Sequence, residues 1–421
     1  MDKGFLWGAA TSAFQLEGSA YADWAGWDAS LRKNPSITNH YSLYEEDIRL
    51  LKSLGVNAYR FSVEWSRIEP REGVWDEGAI DHYLRVAELL GETHIEPMVT
   101  LHHFTHPLWF TRKYAWHEQS STEIFLRFAE KITSRIKNVR YWITFNEPYV
   151  LLLGGYIEGC MPPGIRDAGL AVKALENILV CHARAYDMIH ARTPGAMVSV
   201  AHNMAAIAPW NRWNPADRVL SRIGIYFYNH SLPDAFMTGE LKFRLPLMKP
   251  INIRVPIKGK LDFMGVNYYT RVHLRFSPFR KMCGELRHRD LGGHGLTDLG
   301  WEVHPEGLER VLEYASRLRD QDGRQVPLII TENGIATHDE DKRIKFIKMH
   351  VDAVEKCIGR GMDIRGYFYW SLMDNYEWLQ GLDARFGLYR VDFESRNLTR
   401  TPTAAARFYS GLIKSKSVTR A

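Results

Sequence analysis

The sequence predicts an α/β protein built as a single (β/α)8 TIM barrel, and three observations support this fold class. Eight short apolar runs, rich in β-branched and aromatic residues, lack polar alternation, as expected for strands buried on both faces of a parallel sheet. Amphipathic stretches separate these runs, which is the element order of parallel α/β folds. No linker or low-complexity segment interrupts the 421 residues, so we expect one domain over 1–421.

Eight segments have the composition of buried strands. They cover residues 5–10, 57–63, 95–101, 139–145, 197–202, 261–267, 328–331 and 364–370. A doubly wound open sheet is the alternative arrangement, but neither a Gly-x-Gly-x-x-Gly motif nor a phosphate-binding loop follows the early strands. A closed barrel is therefore expected, and its chemistry should lie at the carboxyl ends of the strands.

Helical periodicity occurs between these strands. Gly55 is a predicted C-terminal cap, because it follows apolar residues at three- and four-residue spacing, namely Tyr44, Ile48, Leu51 and Leu54. The segment 120–123 (SSTE) has the form of a capping box and predicts another helix start. A third helix should end at Gly359, after the apolar face formed by Ile347, Val351, Val354 and Ile358.

Composition and charge exclude several classes of function. The net charge of +5, from 54 Lys and Arg against 49 Asp and Glu, is too small to indicate nucleic-acid binding. The most basic stretch, 271–289, is interpreted as a solvated loop. No apolar run approaches the length of about 18 residues that predicts a membrane-spanning helix. We therefore expect neither nucleic acid nor a membrane as a partner.

The cysteines indicate a reducing compartment. They lie far apart, without a Cys-x-x-Cys pair, at Cys160, Cys181, Cys283 and Cys357. In a chain of this length such scattered cysteines are typical of reduced thiols. The segment 1–4 (MDKG) leads into an apolar run that lacks the features of a signal peptide. A cytoplasmic location is the resulting expectation.

Two glutamates follow predicted strands. Glu147 comes directly after the fourth strand and Glu332 directly after the seventh. Because the carboxyl ends of barrel strands converge, both side chains should face one site. Cleavage of a glycosidic bond needs two such carboxyl groups, one to protonate the leaving oxygen and one to attack or stabilise the anomeric carbon. A salt-bridged surface position is the alternative for either glutamate alone.

The contexts of these glutamates resemble a known family. Segments 144–148 (TFNEP) and 330–334 (ITENG) resemble the paired signatures of glycoside hydrolase family 1, the β-glucosidase family. Further segments resemble the family in the same order along the chain: 5–18 (FLWGAATSAFQLEG), 59–62 (YRFS), 267–269 (NYY) and 370–378 (WSLMDNYEW). The resemblance covers nearly the whole chain, and it implies a β-glycosidase on a (β/α)8 barrel.

The resemblance also implies roles for particular residues. Glu147 matches the acid/base and Glu332 the nucleophile. Positions that hold the terminal sugar are matched by Gln15, His103, Asn146, Glu377 and Trp378. Other matched positions contact the nucleophile, lie under the sugar ring or pack on the aglycone: Arg60 and Tyr269, Trp370, and Trp301, respectively. A cation and a phenol beside Glu332 would favour its ionised form.

Some features depart from the family pattern. Phe104 follows His103 where Trp is commoner, and Leu382 stands where Tyr is commoner. Histidines are frequent here, at His102, His103, His106 and His117, but they lack a His-Glu-x-x-His motif, and we expect no metal. The connection between Gly18 and Tyr41 looks shortened, which predicts a more open cleft.

The expected function is hydrolysis of terminal β-D-glycosyl residues by a retaining, exo-acting enzyme. β-Glucosides are the favoured substrates, with side activity on β-galactosides or β-fucosides. No cofactor is implied, because two carboxyl groups suffice. The alternatives are an endo-β-glycanase of the same clan and a non-catalytic sugar-binding relative, which would be expected to lack one glutamate. A thioglucosidase is disfavoured because Glu147 stands where those relatives have Gln.

Overall fold

Eight parallel strands close into a barrel. The computed structural model describes residues 4–28, 31, 36–243, 250–278 and 284–418. Hydrogen bonds join the barrel strands in the order β1-β2-β3-β4-β5-β8-β10-β11, and β11 pairs with β1 to complete the ring. Helices surround the barrel, and its strands are buried on both faces. The predicted fold class is confirmed.

Within the described ranges the strands and helices have the following bounds. The strands are β1 (Leu6–Ala10), β2 (Ala58–Ser62), β3 (Glu96–His102), β4 (Tyr141–Asn146), β5 (Met197–Pro209), β6 (Glu240–Phe243), β7 (Ile251–Arg254), β8 (Met264–Phe276), β9 (Gly284–Arg287), β10 (Leu328–Asn333), β11 (Ile364–Trp370), β12 (Tyr389–Val391) and β13 (Arg400–Pro402). The α-helices are α1 (Ala13–Glu17), α2 (His40–Leu54), α3 (Trp65–Ile68), α4 (Glu77–Glu92), α5 (Leu108–Lys113), α6 (Ser121–Arg135), α7 (Pro148–Leu152), α8 (Ala168–Arg192), α9 (Pro215–Ile225), α10 (Ser231–Thr238), α11 (Pro305–Ala315), α12 (Glu340–Gly359) and α13 (Ala404–Val418). Two π-helical segments cover Leu153–Glu158 and Tyr226–His230.

Six barrel strands lie within three residues of their predicted bounds, and two are much longer. β5 and β8 have 13 residues each, so they continue past the barrel rim and pair with each other there. Asn203 in β5 and Asn267 in β8 interrupt the apolar runs, and beyond the rim β8 alternates between polar and apolar residues. The prediction followed continuous apolar runs and therefore ended each strand too early.

The interpretation of 271–289 as a solvated loop was wrong for residues 271–276 and 284–287, which form strands, although Arg275 and Arg287 are exposed. Residues 271–276 belong to β8, which pairs with β9 in an antiparallel hairpin. Arg271 is largely buried and forms a bidentate ion pair with the fully buried Glu302, at 2.8 Å from Nε to Oε2 and 2.5 Å from Nη2 to Oε1. Arg271 therefore contributes to the fold through this ion pair and is not a solvated surface charge. Arg280 and Lys281 lie outside the described residues.

Helix boundaries were predicted unevenly. Gly55 caps α2 in the left-handed conformation, with φ of 75°, and its N–H donates to the carbonyl of Lys52. α12 ends at Gly359, as expected. α6 begins at Ser121 as the 120–123 pattern predicts, but Ser120 has helical backbone angles and its side chain forms no capping hydrogen bond. The capping box is therefore not formed.

The thiols of the described cysteines are not paired with one another. Cys160 is exposed, whereas Cys181 and Cys357 are buried, and all three are free. Burial raises the pKa of the Cys357 thiol to about 11. Cys283 lies outside the described residues. In the described part of the chain, no helix is both long enough and apolar enough to cross a bilayer.

Reduction should therefore leave thermal stability unchanged, because the three cysteines of the described ranges form no disulfide that could constrain the unfolded chain. The measurement is the melting temperature with and without a reducing agent. In the native protein a thiol reagent should modify Cys160 quickly and the buried Cys181 and Cys357 only after unfolding. Cys160→Ser is the matched control and should remove one rapidly reacting thiol. A fall of several degrees on reduction would contradict the prediction.

Candidate active site

A cavity of about 720 Å³ opens at the carboxyl ends of the barrel strands. Nearly all of the residues predicted to form the site line it: Gln15, His103, Asn146, Glu147, Tyr269, Trp301, Glu332, Trp370, Glu377 and Trp378. Arg60 is fully buried in the middle of β2 and contacts Glu332, one of these side chains. The barrel thus brings together residues that are up to 363 positions apart in the sequence, from Gln15 to Trp378.

Glu332 is the penultimate residue of β10, and two donors hold its carboxyl group. Arg60 Nη1 lies 2.5 Å from Glu332 Oε1, and the Tyr269 hydroxyl donates to Oε2 at 2.5 Å. Burial raises the pKa of Glu332, while the Arg60 guanidinium and the Tyr269 hydroxyl lower it, and the net direction is upward. Both oxygens are therefore oriented, and the two partners offset part of the cost of burying a carboxylate.

Gly334 explains the end of the 330–334 motif. A Cβ atom at this position would lie 1.9 Å from the carbonyl oxygen of Trp370. β10 and β11 therefore approach too closely for any side chain at Gly334, and this approach brings Trp370 beside Glu332 in the cavity wall.

Glu147 sits at the junction of β4 and α7 in an unusual backbone conformation. Its φ of 45° and ψ of 61° lie in the left-handed region, which costs energy for a residue other than glycine. Its N–H donates to the carbonyl of Ala201 at 2.7 Å, and Pro148 begins α7. The hydrogen bond to Ala201 and the start of α7 hold this strained conformation, which directs the carboxyl group into the cavity.

The carboxyl group of Glu147 is asymmetrically supported. Its Oε1 accepts hydrogen bonds from Asn203 Nδ2 at 2.8 Å and Asn267 Nδ2 at 2.7 Å. Burial, and then the nearby charge of Glu332, raise the pKa of Glu147 to about 7, although the two amides lower it. Since Oε1 already accepts two N–H groups, a proton on this carboxyl belongs on Oε2.

Three residues of this site were missed from the sequence. Asn203, Asn267 and Tyr228 form its supporting layer, and the Tyr228 hydroxyl donates to Asn203 Oδ1 at 2.7 Å. Asn203 follows the predicted fifth strand, and Asn267 ends the predicted sixth, so the rule that located the glutamates also applies to both. Tyr228 lies in the π-helical segment Tyr226–His230, which no pattern in the sequence predicted.

Asn146 has a fixed orientation. Its Oδ1 accepts from Arg60 Nη2 at 2.7 Å and Asn267 Nδ2 at 3.1 Å, so its Nδ2 must donate to His103 Nε2, 3.1 Å away. His103 Nδ1 then carries the ring hydrogen. Burial and the charge of Arg60 hold the pKa of His103 well below its usual range, which keeps the imidazole neutral. The pair is a preorganised hydrogen-bonding surface for hydroxyl groups.

Glu377 forms a second acidic position in the cavity. Its Oε2 accepts from Gln15 Nε2 at 3.3 Å and from Trp370 Nε1 at 3.4 Å. Gln15 is itself oriented by Ser12, whose hydroxyl donates to its Oε1 at 2.7 Å. Burial and the charges of Glu332 and Glu147 raise the pKa of Glu377 to about 8, against the Trp370 and Gln15 hydrogen bonds.

Aromatic rings also line the cavity close to these polar groups. Trp370 and His103 lie with ring centroids 5.8 Å apart and planes inclined by 20°, and Trp378 stacks on Phe14. Trp301 packs edge-on against Tyr269, with ring centroids 6.0 Å apart, and Tyr269 in turn binds Glu332. Flat apolar rings beside hydrogen-bonding groups suit a ring with one apolar face and polar edges.

The neighbouring histidines serve the fold. His102 Nε2 lies 3.3 Å from His106 Nδ1, and His106 Nε2 lies 3.3 Å from Asp23 Oδ2. Burial lowers the pKa of His106 to about 3, so its ring is neutral. In the described ranges, no group of three or more His, Cys, Asp or Glu side chains is placed to hold a metal ion.

The site therefore combines two carboxyl groups in different environments. Glu147 accepts hydrogen bonds only from amide N–H groups and has a pKa of about 7, whereas Glu332 is bound to a guanidinium and a phenol. Such a pair can donate a proton from one group and attack an electrophilic carbon with the other.

Comparisons with known proteins agree with this chemistry. Residues 1–418 match the model of the family described as glycosyl hydrolase family 1. β-Glucosidase A of Thermotoga maritima is 31% identical over 99% of this chain and 98% of its own length. The solved structure of the β-glycosidase from Pyrococcus horikoshii superposes with a TM-score of 0.89 and 38% identity, covering 99% of this chain and 95% of that chain. A 6-phospho-β-galactosidase of Staphylococcus haemolyticus is 29% identical over 98% of both chains.

The support of Glu147 by Asn203 can be tested by pH dependence. If protonated Glu147 is the active form, kcat/KM for a nitrophenyl β-glucoside should fall as the pH rises through about 7. Asn203→Ala removes a hydrogen bond that lowers this pKa. The alkaline limb should then move upward by about one pH unit. Asn177→Ala, which removes a hydrogen bond to the Trp116 carbonyl, is the control and should leave the profile unchanged. A downward shift for Asn203→Ala would contradict the assignment.

Proposed function

The chain belongs to glycosyl hydrolase family 1 and is a β-glycosidase, and from this premise we propose that it removes terminal β-D-glucosyl residues from non-phosphorylated substrates. The observation that carries the proposal is the pair of buried glutamates with unlike partners. We propose a retaining double displacement, in which one glutamate forms a covalent bond to the sugar and the other transfers protons.

Glu332 is the proposed nucleophile. Arg60 stabilises its negative charge, and the Tyr269 hydroxyl fixes the second oxygen. As Glu332 attacks the anomeric carbon, its charge is neutralised by bond formation. Arg60 keeps its hydrogen bond to Asn146 and remains paired.

Glu147 is the proposed acid and base. In the free enzyme the charge on Glu332 helps to keep Glu147 protonated, so it can protonate the leaving oxygen. Once Glu332 is esterified, that charge is absent and the pKa of Glu147 falls. Glu147, which lost its proton to the leaving oxygen, therefore stays ionised, accepts a proton from water and directs the water to the anomeric carbon.

Recognition of the sugar is proposed for the polar half of the cavity. Asn146 is assigned to the 2-hydroxyl, next to the reacting carbon. The other hydroxyls are assigned to Gln15, His103, Glu377 and Trp378, and Trp370 lies under the ring. Hydrogen-bonding groups on several sides of one terminal sugar favour exo action over an endo-β-glycanase. β-Galactosides and β-fucosides are proposed as secondary substrates. These sugars differ from glucose at one or two positions, so they keep most of the hydrogen bonds assigned above.

A cytoplasmic location is also part of the proposal. It is supported by the unpaired state of Cys160, Cys181 and Cys357. The proposed reaction uses small β-glycosides and water, and its proton transfers need only the two glutamates.

The two glutamates should fail differently when replaced. Glu332→Gly should lose nearly all hydrolysis, because no covalent intermediate can form. Glu147→Ala should retain much of its first step on a dinitrophenyl glucoside, whose leaving group hardly needs a proton. Azide should restore turnover of Glu147→Ala and give the β-glucosyl azide, whereas Glu332→Gly with azide should give the α-product. NMR spectroscopy of the products distinguishes the two.

The stereochemistry of the wild-type reaction is the accompanying control. Retention requires a carboxyl separation of about 5–5.5 Å, and inversion about 6.5–9.5 Å. We predict the shorter separation for Glu147 and Glu332, and release of the β-anomer first. Initial release of the α-anomer would show an inverting enzyme and overturn both role assignments.

Phosphorylated sugars should be poor substrates. In the described part of the chain, none of the residues lining the cavity is Lys or Arg, so a 6-phosphate would be desolvated beside Glu377 without a counter-charge. We expect kcat/KM for a 6-phospho-β-glucoside to be at least about a hundredfold lower than for the unmodified sugar.

The discrimination should also depend on pH. Burial raises the pKa of Glu377 to about 8. The ratio of kcat/KM for the unmodified sugar to kcat/KM for the 6-phospho-sugar should therefore increase as the pH rises through that value. Glu377→Gln removes the ionisable group, so its ratio should stay constant over the same range. Equal or faster turnover of the 6-phospho-glucoside by the wild type would contradict the prediction.

A further inference from the structure

The cavity has two chemically different halves. Its inner half contains the polar residues around Glu147 and Glu332 described above. Its outer half is lined by apolar side chains, chiefly Ala205, Ile207, Leu220, Ile223, Val272 and Leu274. At about 720 Å³ the whole cavity has the size of sites that enclose drug-sized molecules, so it can hold more than one sugar ring.

The apolar half is formed by the extensions of β5 and β8 beyond the barrel. Ile207 pairs with Val272, and Pro209 with Leu274, in one continuous register. Side chains alternate between the two faces of a strand. Val272 and Leu274 therefore face the cavity, whereas Arg271 turns away and pairs with Glu302 on the other face. The extension thus separates charge from the cavity.

Helix α9 completes the apolar surface. Its residues Leu220 and Ile223 line the cavity, and Phe227 follows just after the helix end. Gly224 lies at the contact with β8, where a Cβ atom would be 2.6 Å from Leu274 Cδ1. The glycine therefore permits the helix to lie close to the strands, and a continuous apolar wall results. Leu286 of β9 extends this wall toward solvent, where 57% of the residue is exposed.

Few polar groups are available along this wall. The Thr270 hydroxyl donates to the Glu302 carbonyl at 2.9 Å, and His288 Nδ1 lies 3.2 Å from the Arg271 carbonyl. The Thr270 hydroxyl hydrogen and His288 Nδ1 are therefore already engaged. Glu158 and Gln380 also line the cavity, so polar partners for a ligand are few but not absent. A second sugar placed here would leave several of its hydroxyl groups without partners, which opposes its binding.

We infer that the outer half of the cavity binds an apolar aglycone, so that the preferred substrates are β-glucosides of long-chain alcohols rather than sugar-linked oligosaccharides. The inference rests on the proposed function, because it assigns the leaving-group side of the same site. The polar inner half binds the sugar, and the alkyl chain lies along β5, β8 and α9. Each methylene transferred from water to this wall favours binding.

The first experiment is a chain-length series. Initial rates are measured with methyl, butyl, hexyl and octyl β-D-glucosides below their micelle concentrations, with cellobiose as the sugar-linked comparison. From methyl to hexyl, kcat/KM should rise about two- to fourfold for each added methylene, the upper value corresponding to complete burial. Octyl glucoside should exceed cellobiose. A flat series, or a preference for cellobiose, would overturn the inference.

Matched variants test the wall itself. Leu286→Asn changes a residue that lines the cavity, whereas Leu291→Asn changes a leucine of similar exposure, 60% against 57%, that does not. Ile223→Asn and Val219→Asn form a second pair within α9, of which only Ile223 lines the cavity. The ratio of octyl to methyl turnover should fall severalfold in Leu286→Asn and Ile223→Asn and remain unchanged in the two controls. Equal ratios within both pairs would contradict the inference.

Binding separates this inference from the proposed function. Octyl and ethyl β-D-thioglucosides, which resist hydrolysis, are titrated into the wild-type protein by calorimetry. Tighter binding of the octyl compound by tenfold or more supports an apolar aglycone site even if no β-glucoside is cleaved, in which case only the proposed function is wrong. Hydrolysis of nitrophenyl β-glucoside with equal affinities for the two thioglucosides leaves the proposed function intact and overturns this inference.

Discussion

The buried ion pair between Arg60 and Glu332 is the interaction on which the site depends. A carboxylate that is 3% exposed is stable only with a partner, and Arg60, which is fully buried, supplies one at 2.5 Å. The same guanidinium binds Asn146 at 2.7 Å, and through Asn146 it fixes the orientation of His103. One cation in the middle of β2 therefore orients groups on β4, on β10 and after β3.

The balance of charge around this cation divides the roles of the carboxyl groups. Glu147, Glu332 and Glu377 share one cavity, but Arg60 contacts only Glu332. The other two groups are surrounded by amides and an indole, so burial raises their pKa values to about 7 and about 8. The protein thus keeps one group ready to hold negative charge and one ready to hold a proton near neutral pH, as acid–base chemistry requires.

The sequence was informative wherever one residue type served one local purpose. The eight runs, Gly55 and the two glutamates at strand ends were all predictable, since each reflects burial, a left-handed cap or the convergence of strands. Tyr228 was missed because its role depends on a distant partner: a π-helical turn brings Tyr228 to Asn203, 25 residues away. Arg271 was misinterpreted for the same reason, because its partner Glu302 is 31 residues away.

The two long strands connect the chemistry of the site to its specificity. β5 supplies Asn203 to Glu147 and then, two and four residues later, Ala205 and Ile207 to the cavity wall. β8 does the same with Asn267, followed by Val272 and Leu274. The groups that orient Glu147, the proposed proton donor, therefore lie on the same strands as the surface beyond it. In the proposed mechanism the leaving oxygen has to reach Glu147, so the remainder of the leaving group would pass along these strands. A strand that ended at the barrel rim could have supported Glu147, but it would have left the leaving group in water, so the extensions act on the choice of substrate.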